Sequence, residues 1–380
     1  MQAFFADLPT TLDAHQGTLA RAKAYRQALW EAGLAGISTP SDLGGAGLPP
    51  EYDRAFREIG RELSPGEDAI FGIGLGMTVP TLLEYGSLRL QQRFVPPALR
   101  GEEIWCQLFS EPGAGSDLAG LTTRAIDDGD EWVITGQKVW TSGAHHADLG
   151  ILLARTDVDA PKHRGITMFA LPMHQPGVTV RPLVQMTGVA EFNEVFLDEA
   201  RVPADWVVGD VNGGWALAVA LLGHERTTLG RGTLTDDDSK SKAGRSPLPL
   251  SGLVARAREH GRLGDPVVRQ ELAAIHTGEQ LVPWGTARRL HPSIGKLWRT
   301  IQGRRAAQLA HVLGGATATA WEVDDVDDDY FAYHVLNCRG MSLGGGTDEI
   351  QKNTLGERVL GLPREPGPDR DTPFSELPRN

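Results

Sequence analysis

The sequence predicts an α+β chain in which a β domain is set between two helical blocks. Apolar residues recur every three to four positions before residue 101 and again after residue 213. Between them lie short runs rich in β-branched and aromatic residues, separated by polar or glycine-containing turns. No helical segments alternate with those runs, which argues against a doubly wound parallel sheet.

The first block begins with an amphipathic helix over 19–34, stopped near Gly33. The glycine- and proline-rich stretch 36–52 reads as a long loop, with Pro49 and Pro50 suited to opening the next helix. Further helices are expected over 51–62, 68–84 and 87–99. Strands follow at 131–140, 149–155, 165–172 and 191–203, and a strongly apolar helix at 213–230. The stretch 231–250 has no apolar period, and its middle reads as a mobile loop. Helices resume over 251–262, 266–285, 293–313, about 325–338 and 347–359, and a proline-rich end reads as a loose tail. The domains drawn from this pattern are 1–105, 106–209 and 210–362, with the tail over 363–380.

A chain of 380 residues exceeds one ordinary core, so several domains are the expectation. The formal net charge of -12 argues against nucleic acid or an anionic membrane as the main partner, though it permits a local basic pocket. Cys106 and Cys338 have neither zinc spacing nor a disulfide framework, which points to a reducing, cytoplasmic setting. The first twenty residues lack the order of a signal peptide, and no stretch approaches the roughly 20 apolar residues needed to span a bilayer.

Several stretches carry candidate chemistry. In 107-QLFSEPGAGSDLAG-120, close glycines free the backbone to approach a ligand, and Ser110 and Ser116 can donate to a phosphate or a flavin ring. It is neither a Walker motif nor a dinucleotide fingerprint, and spacing alone allows an ordinary exposed turn as readily as a ligand loop. Trp140, Thr141, Ser142 and Gly143 end a strand, where the indole either stacks on a planar cofactor or closes the core. The adjacent His145 and His146 point in different directions, which disfavours a shared metal. Residues 215–224 are apolar apart from Gly223 and His224, so the helix brings Glu225 into an apolar setting where desolvation raises a carboxyl toward the range of a general base. A structural ion pair is the plain alternative. Gly344, Gly345 and Gly346 before Thr347 suit either an anion or cofactor edge or a simple helix start. The acidic run 324–330 reads as a solvated helix face, without the spacing of a calcium loop.

Taken together, 106-CQLFSEPGAGSDLAG-120, 135-TGQKVWTSGAHHADLGILLART-156, 194-EVFLDEARVPADWVVG-209, 222-LGHER-226 and 341-MSLGGGTDEIQKNTLGERVLGLPREP-366 resemble the flavin-dependent acyl-CoA dehydrogenases. The resemblance covers nearly the whole chain and leans toward the actinobacterial-like branch found in sterol side-chain and other unusual acyl-CoA degradation. It implies an N-terminal α-helical domain, a middle β-barrel-like domain, a C-terminal four-helix bundle, and FAD.

By the same resemblance, Gln107, Leu108, Ser110, Trp140, Thr141, Ser142, Thr347 and Glu349 contact the cofactor. Arg269 reaches its pyrophosphate from a neighbouring subunit, and Ser116, Arg226, Gly345 and Gly346 serve the substrate. Many members carry the catalytic glutamate at the position of Gly345; a subset carries it on the buried helix before an arginine, where this chain has Glu225-Arg226. The implied reaction is α,β-dehydrogenation of an acyl-CoA to the trans-2-enoyl-CoA, with an electron-transfer flavoprotein as acceptor. The implied assembly is a homodimer, a homotetramer or a heterotetramer with a homologue. Two other readings stay open at this point: a flavin oxidase or carrier-protein-linked dehydrogenase, and a silent subunit supporting an active homologue.

Overall fold

A computed structural model of the protein describes residues 18–60, 69–230, 248–316, 318–320, 326–364, 366 and 371–378, together with Phe4 and Leu12. The side chains at 18, 69, 225–230 and 326–330 lie outside that description, as do the expected loop over 231–247 and the acidic run's side chains. The chain forms two compact units: Met1–Val184 with Ala190–Glu225 and Gly367–Asn380, and Gln185–Val189 with Arg226–Pro366.

In the first unit, helices α1 (Thr18–Glu31), α2 (Pro50–Gly60), α3 (Val79–Tyr85) and α4 (Leu88–Arg100) precede the strands. Helix α4 starts where Ser87 Oγ accepts the Leu90 N–H and stops at Gly101, whose φ of 73° is the left-handed cap that glycine adopts without strain. A Cβ at Gly101 would lie 2.5 Å from Arg26 Cβ, and the Arg26 guanidinium donates to Leu99 O at 2.7 Å, so α1 closes on the end of α4. The single helix expected over 68–84 is instead a 3-10 turn at Ala69–Phe71, a π turn at Gly74–Thr78 and then α3. Glycines at 72, 74 and 76 weaken a continuous α-helix, and Gly74 lets the backbone close on Trp105, whose Cδ1 would meet a Cβ there at 3.2 Å.

The strands are β1 (Trp105–Leu108), β2 (Arg124–Asp127), β3 (Glu131–Ser142), β4 (Leu149–Arg155), β5 (Ile166–Pro172), β6 (Val178–Leu183), β7 (Phe192–Pro203) and β8 (Val207–Val208). They run in the order β6-β7-β3-β2-β4-β5-β8, with β1 beside β4. The expected barrel is not closed, since β6 and β8 end the path without pairing to each other. Local chemistry explains the open edges: β6 carries Pro182, which has no N–H for a ladder, and β8 is two residues long. The two halves of the sheet meet through one residue pair, Arg124 with Arg155. Their inward faces share a core that includes Leu108, Ile134, Leu152, Phe169, Val195 and Val202.

A second core in this unit joins Tyr25, Leu29, Leu82, Phe94 and Leu99 of the helices to Ile151, Leu153 and Met168 of the sheet. Leu217, Ala218 and Leu221 of helix α5 (Gly214–Gly230) enter the same core.

The second unit is a helical bundle of α6 (Leu250–Glu259), α7 (Pro266–Ala287), α8 (Pro292–Gly314), α9 (Val326–Leu343) and the short α10 (Asp348–Thr354). Helix α8 lies against all four others, and Leu253, Val268, Leu272, Ile275, Ala306, Leu309 and Leu313 fill the centre. Asp265 caps α7 by accepting the Val267 and Val268 N–H groups. Among the described residues no helix is long and apolar enough to cross a membrane.

Candidate active site

Strand β1 alternates, which sorts its candidates. Leu108 is fully buried in the sheet core, so its backbone is what it can offer a ligand. Gln107 lies on the opposite face and is half-buried. The chain then leaves the strand at Ser110, whose carbonyl accepts the Val139 N–H at 2.9 Å. This bond ties the start of the glycine-rich loop to the end of β3. Ser116 lies exposed further along the same loop.

The loop is held from inside by a buried ion pair. Lys138 Nζ donates to Glu111 Oε1 at 2.9 Å and to Phe109 O at 3.0 Å. Glu111 also accepts the Thr122 N–H at 2.7 Å, the Thr122 hydroxyl at 2.8 Å and the Thr123 N–H at 2.9 Å. Burial alone would push this carboxyl up; the Lys138 charge and the threonine hydrogen bonds outweigh it and hold it at about 2. Arg155 braces the far side, donating to Ala119 O at 2.6 Å and to Lys162 O at 2.8 Å. Its own pKa falls to about 10 through burial, against the opposing pull of Glu111, Asp157 and Asp117.

At the end of β3 the pairing with β7 slips. Lys138 faces Val195 and Thr141 faces Asn193, so three steps along β3 match two along β7. The extra residue makes a bulge, and Trp140 sits in it with φ 61°, a left-handed conformation costly for a bulky side chain. The bulge turns Trp140 outward, 56% exposed, while Thr141 is buried at 1%. The two residues expected to serve one ligand therefore face opposite ways, and the Thr141 hydroxyl is buried without a hydrogen-bond partner among the described residues. Phe192 meets the Trp140 ring edge-on at 5.9 Å. Ser142 follows, half-buried. Behind it, Asn193 Nδ2 donates to Thr141 O at 3.0 Å, and His145 Nδ1 lies 3.2 Å from the same side-chain amide.

In the second unit, Gly345 and Gly346 have φ values of 64° and 80°, and Thr347 caps α10 by accepting the Ile350 N–H at 3.2 Å. Asp348 is buried beneath the turn, receiving Lys296 Nζ at 3.1 Å and the Thr300 hydroxyl at 3.0 Å. Burial would raise its carboxyl; these hydrogen bonds outweigh that and hold it below the usual range. Glu349 and Arg269 are exposed. Position 225 is helical, one turn beyond Leu221 on α5, and the side chains of Glu225 and Arg226 lie outside the described residues.

Glu111 and Lys138 lie within the 106–120 and 135–156 motifs, where spacing alone gives neither a role. The available signal was a charged residue of each sign inside apolar, glycine-rich surroundings.

Residues 106–200 match the family model for the acyl-CoA dehydrogenase middle domain, and residues 3–102 match that for the acyl-CoA dehydrogenase N-terminal domain. The chain is 39% identical over 358 residues to acyl-CoA dehydrogenase IpdE1 of Mycobacterium tuberculosis, covering 90% of this chain and 88% of that one. This chain belongs to the acyl-CoA dehydrogenase family. Among solved structures, the Tcur3481-Tcur3483 steroid ACAD matches with a TM-score of 0.76 and 26% identity over 96% of this chain and 98% of that one. The ChsE4-ChsE5 complex from Mycobacterium tuberculosis matches with a TM-score of 0.72 and 26% identity, covering 96% of each chain.

FAD is the cofactor of this acyl-CoA dehydrogenase, and the residues present fit it. Among the described residues, the outward indole, held in strained backbone, makes one ring contact, edge-on with Phe192. A planar ring stacked on it would compensate for that strain, with the Ser142 hydroxyl two residues further on to meet a ring heteroatom.

Proposed function

We propose that this acyl-CoA dehydrogenase takes the α-proton of an acyl-CoA thioester with Glu225, and that its substrates carry a branched or ring-bearing acyl group. The observation that carries the proposal is at position 345. Many family members have their glutamate there, whereas this chain has a glycine at φ 64° and no carboxylate among residues 344–347. The remaining acid with the family's spacing is Glu225, set on α5 one turn after Leu221, which is fully buried.

An α-proton beside a thioester is too weakly acidic for a carboxylate unless the carbonyl is polarised. A backbone N–H of the 345–346 turn and the ribityl hydroxyl of bound FAD would donate to that oxygen, stabilising charge as it develops. Glu225 then removes the proton, and Arg226 and Ser116 hold the thioester and its pantetheine arm. Trp140 and Ser142 orient the cofactor, with Gln107, the Leu108 backbone, Ser110, Thr141 through its backbone, Thr347 and Glu349 as further contacts. Arg269, exposed on α7, would reach the pyrophosphate of a cofactor in a neighbouring subunit. Bound FAD supplies the acceptor for the β-hydride at N5, and the product is the trans-2-enoyl thioester.

Glycine in place of glutamate leaves more room beside the α-carbon, which supports a bulky acyl group. The similarity to IpdE1 and to the steroid ACAD supports the same reading. The ChsE4-ChsE5 complex offers a precedent for pairing with a homologue, and an electron-transfer flavoprotein is the proposed electron acceptor.

Anaerobic flavin reduction by a panel of straight-chain, α-branched and steroidal acyl-CoAs tests the proposal. Glu225→Gln should keep FAD but lose about 10²–10⁴-fold in reduction rate. A variant that bleaches its flavin as fast as the parent removes Glu225 from the mechanism. A strict preference for short straight chains removes the bulky-substrate reading, and peroxide formed without an added acceptor would indicate an oxidase.

A further inference from the structure

The glycine turn is held by a residue that no part of the reaction scheme uses. Gln351 is 3% exposed, and its amide nitrogen donates to Gly345 O at 2.8 Å and to Gly346 O at 3.4 Å. Two carbonyls as partners identify the nitrogen side of the amide as the one facing the turn. A trans peptide is planar, with its C=O and N–H pointing in opposite directions. Holding Gly345 O therefore aims the Gly346 N–H away from Gln351, and the longer bond to Gly346 O does the same for the Thr347 N–H. Gly346 is exposed, and among the described residues its N–H meets no acceptor. A Cβ at Gly346 would lie 2.8 Å from Gln351 Nε2, so the close approach depends on glycine there.

Gln351 is itself fixed from below. Asp348, three residues earlier and on the same side of α10, is bonded to Lys296 and Thr300 of α8, with Arg304 at 3.4 Å. The rigid bundle thus sets the first turn of α10, the turn sets Gln351, and Gln351 sets the direction of a free backbone donor.

We infer that Gln351 is a positioning residue for thioester polarisation, orienting the Gly346 N–H toward the substrate carbonyl by binding the carbonyl of the same peptide unit. The inference rests on the dehydrogenase reading given above. Without the amide donor, the 345–346 peptide is free to rotate between its left-handed conformation and others open to glycine. The donor is then no longer pre-aimed when charge develops on the thioester oxygen.

Gln351→Met keeps the length and apolar stem and removes the donor. Gly346→Ala attacks the same contact from the other side and serves if the first variant does not fold. Two non-reacting ligands are compared on each FAD-loaded protein by titration: a 3-thiaacyl-CoA, which retains the thioester carbonyl, and an alkyl-CoA thioether of equal length, which lacks it. The parent should prefer the carbonyl-bearing ligand. The variants should lose that preference at least tenfold while binding the thioether as before. Their kcat should fall about tenfold to a hundredfold with FAD content unchanged, a fraction of the roughly 10²–10³-fold seen when such a donor is removed outright.

Equal loss of both ligands would show a general structural role and overturn the inference, as would retention of the full preference. A parent protein that neither prefers the carbonyl nor is bleached by any acyl-CoA overturns the dehydrogenase reading, and this inference with it. Bleaching by the parent together with an unaltered Gln351→Met overturns this inference alone.

Discussion

Lys138 Nζ lies 2.9 Å from Glu111 Oε1 with the two side chains 0% and 5% exposed. The pair ties the glycine-rich loop to β3 two residues before the Trp140 bulge. Removing one partner of a buried pair leaves the other charge uncompensated, which costs ~3–5 kcal/mol. Lys138→Met should lower the urea midpoint accordingly, and adding Glu111→Gln should recover part of the loss. A double variant no more stable than the single would show that the pair does not act as a unit.

The same pair sets an acid limit. Glu111 titrates at about 2 in the folded chain against 4.5 unperturbed, so its contribution is complete above pH 4.5 and is lost as the pH falls toward 2. The shift corresponds to on the order of 3 kcal/mol. Burial lowers the Lys138 pKa, partly offset by Glu111, and that effect acts on the alkaline side. Stability measured from pH 6 down to pH 2 should therefore fall more steeply in the parent than in the Glu111→Gln, Lys138→Met double variant.

Trp140 separates backbone strain from ligand binding. Its φ of 61° costs ~1–3 kcal/mol, which glycine would relieve, while the edge contact with Phe192 is worth ~0.5–1.5 kcal/mol. Trp140→Gly should leave the melting temperature within a few degrees of the parent. FAD affinity should fall about tenfold, the equivalent of one lost aromatic contact. A large loss of stability with unchanged FAD affinity would place the indole in the core's service instead.

Much of this was legible in the sequence, and the exceptions share a cause. Strands β3, β4, β5 and β7 were readable because runs such as 149–155 and 166–172 are long and apolar. Strands β1, β2 and β8 have four residues or fewer, too short for a period, and Pro182 disguises β6. Motif spacing brought out Ser110, Trp140, Ser142 and the glycine turn. It could not show which of Trp140 and Thr141 faces outward, because that depends on a bulge set by pairing with β7. Nor could it join Glu111 to Lys138, or Gln351 to Gly345, since those bonds exist only once the loop and the turn have folded back.

The end of the chain gives the last prediction. Residues 363–380 read as a loose tail, yet 371–378 lie along the loop after β4. Phe374 N donates to Ala160 O at 3.0 Å, Ser375 N donates to Val158 O at 2.9 Å, and Pro373 bridges Pro161. Phe374 sits beneath the Arg155 guanidinium, 3.7 Å from its carbon to the ring centroid. Arg155 is 2% exposed and holds the carbonyls of Ala119 and Lys162, so the ring closes one side of the cation that braces the glycine-rich loop. A desolvated cation–π contact is worth about 2 kcal/mol. Phe374→Ala should lower stability by roughly that amount and expose the 157–164 loop to faster proteolysis, whereas Phe374→Trp should restore both, because indole is the better partner for a cation. If Phe374→Leu matches the parent in both measurements, apolar cover alone suffices and the ring's charge distribution contributes nothing.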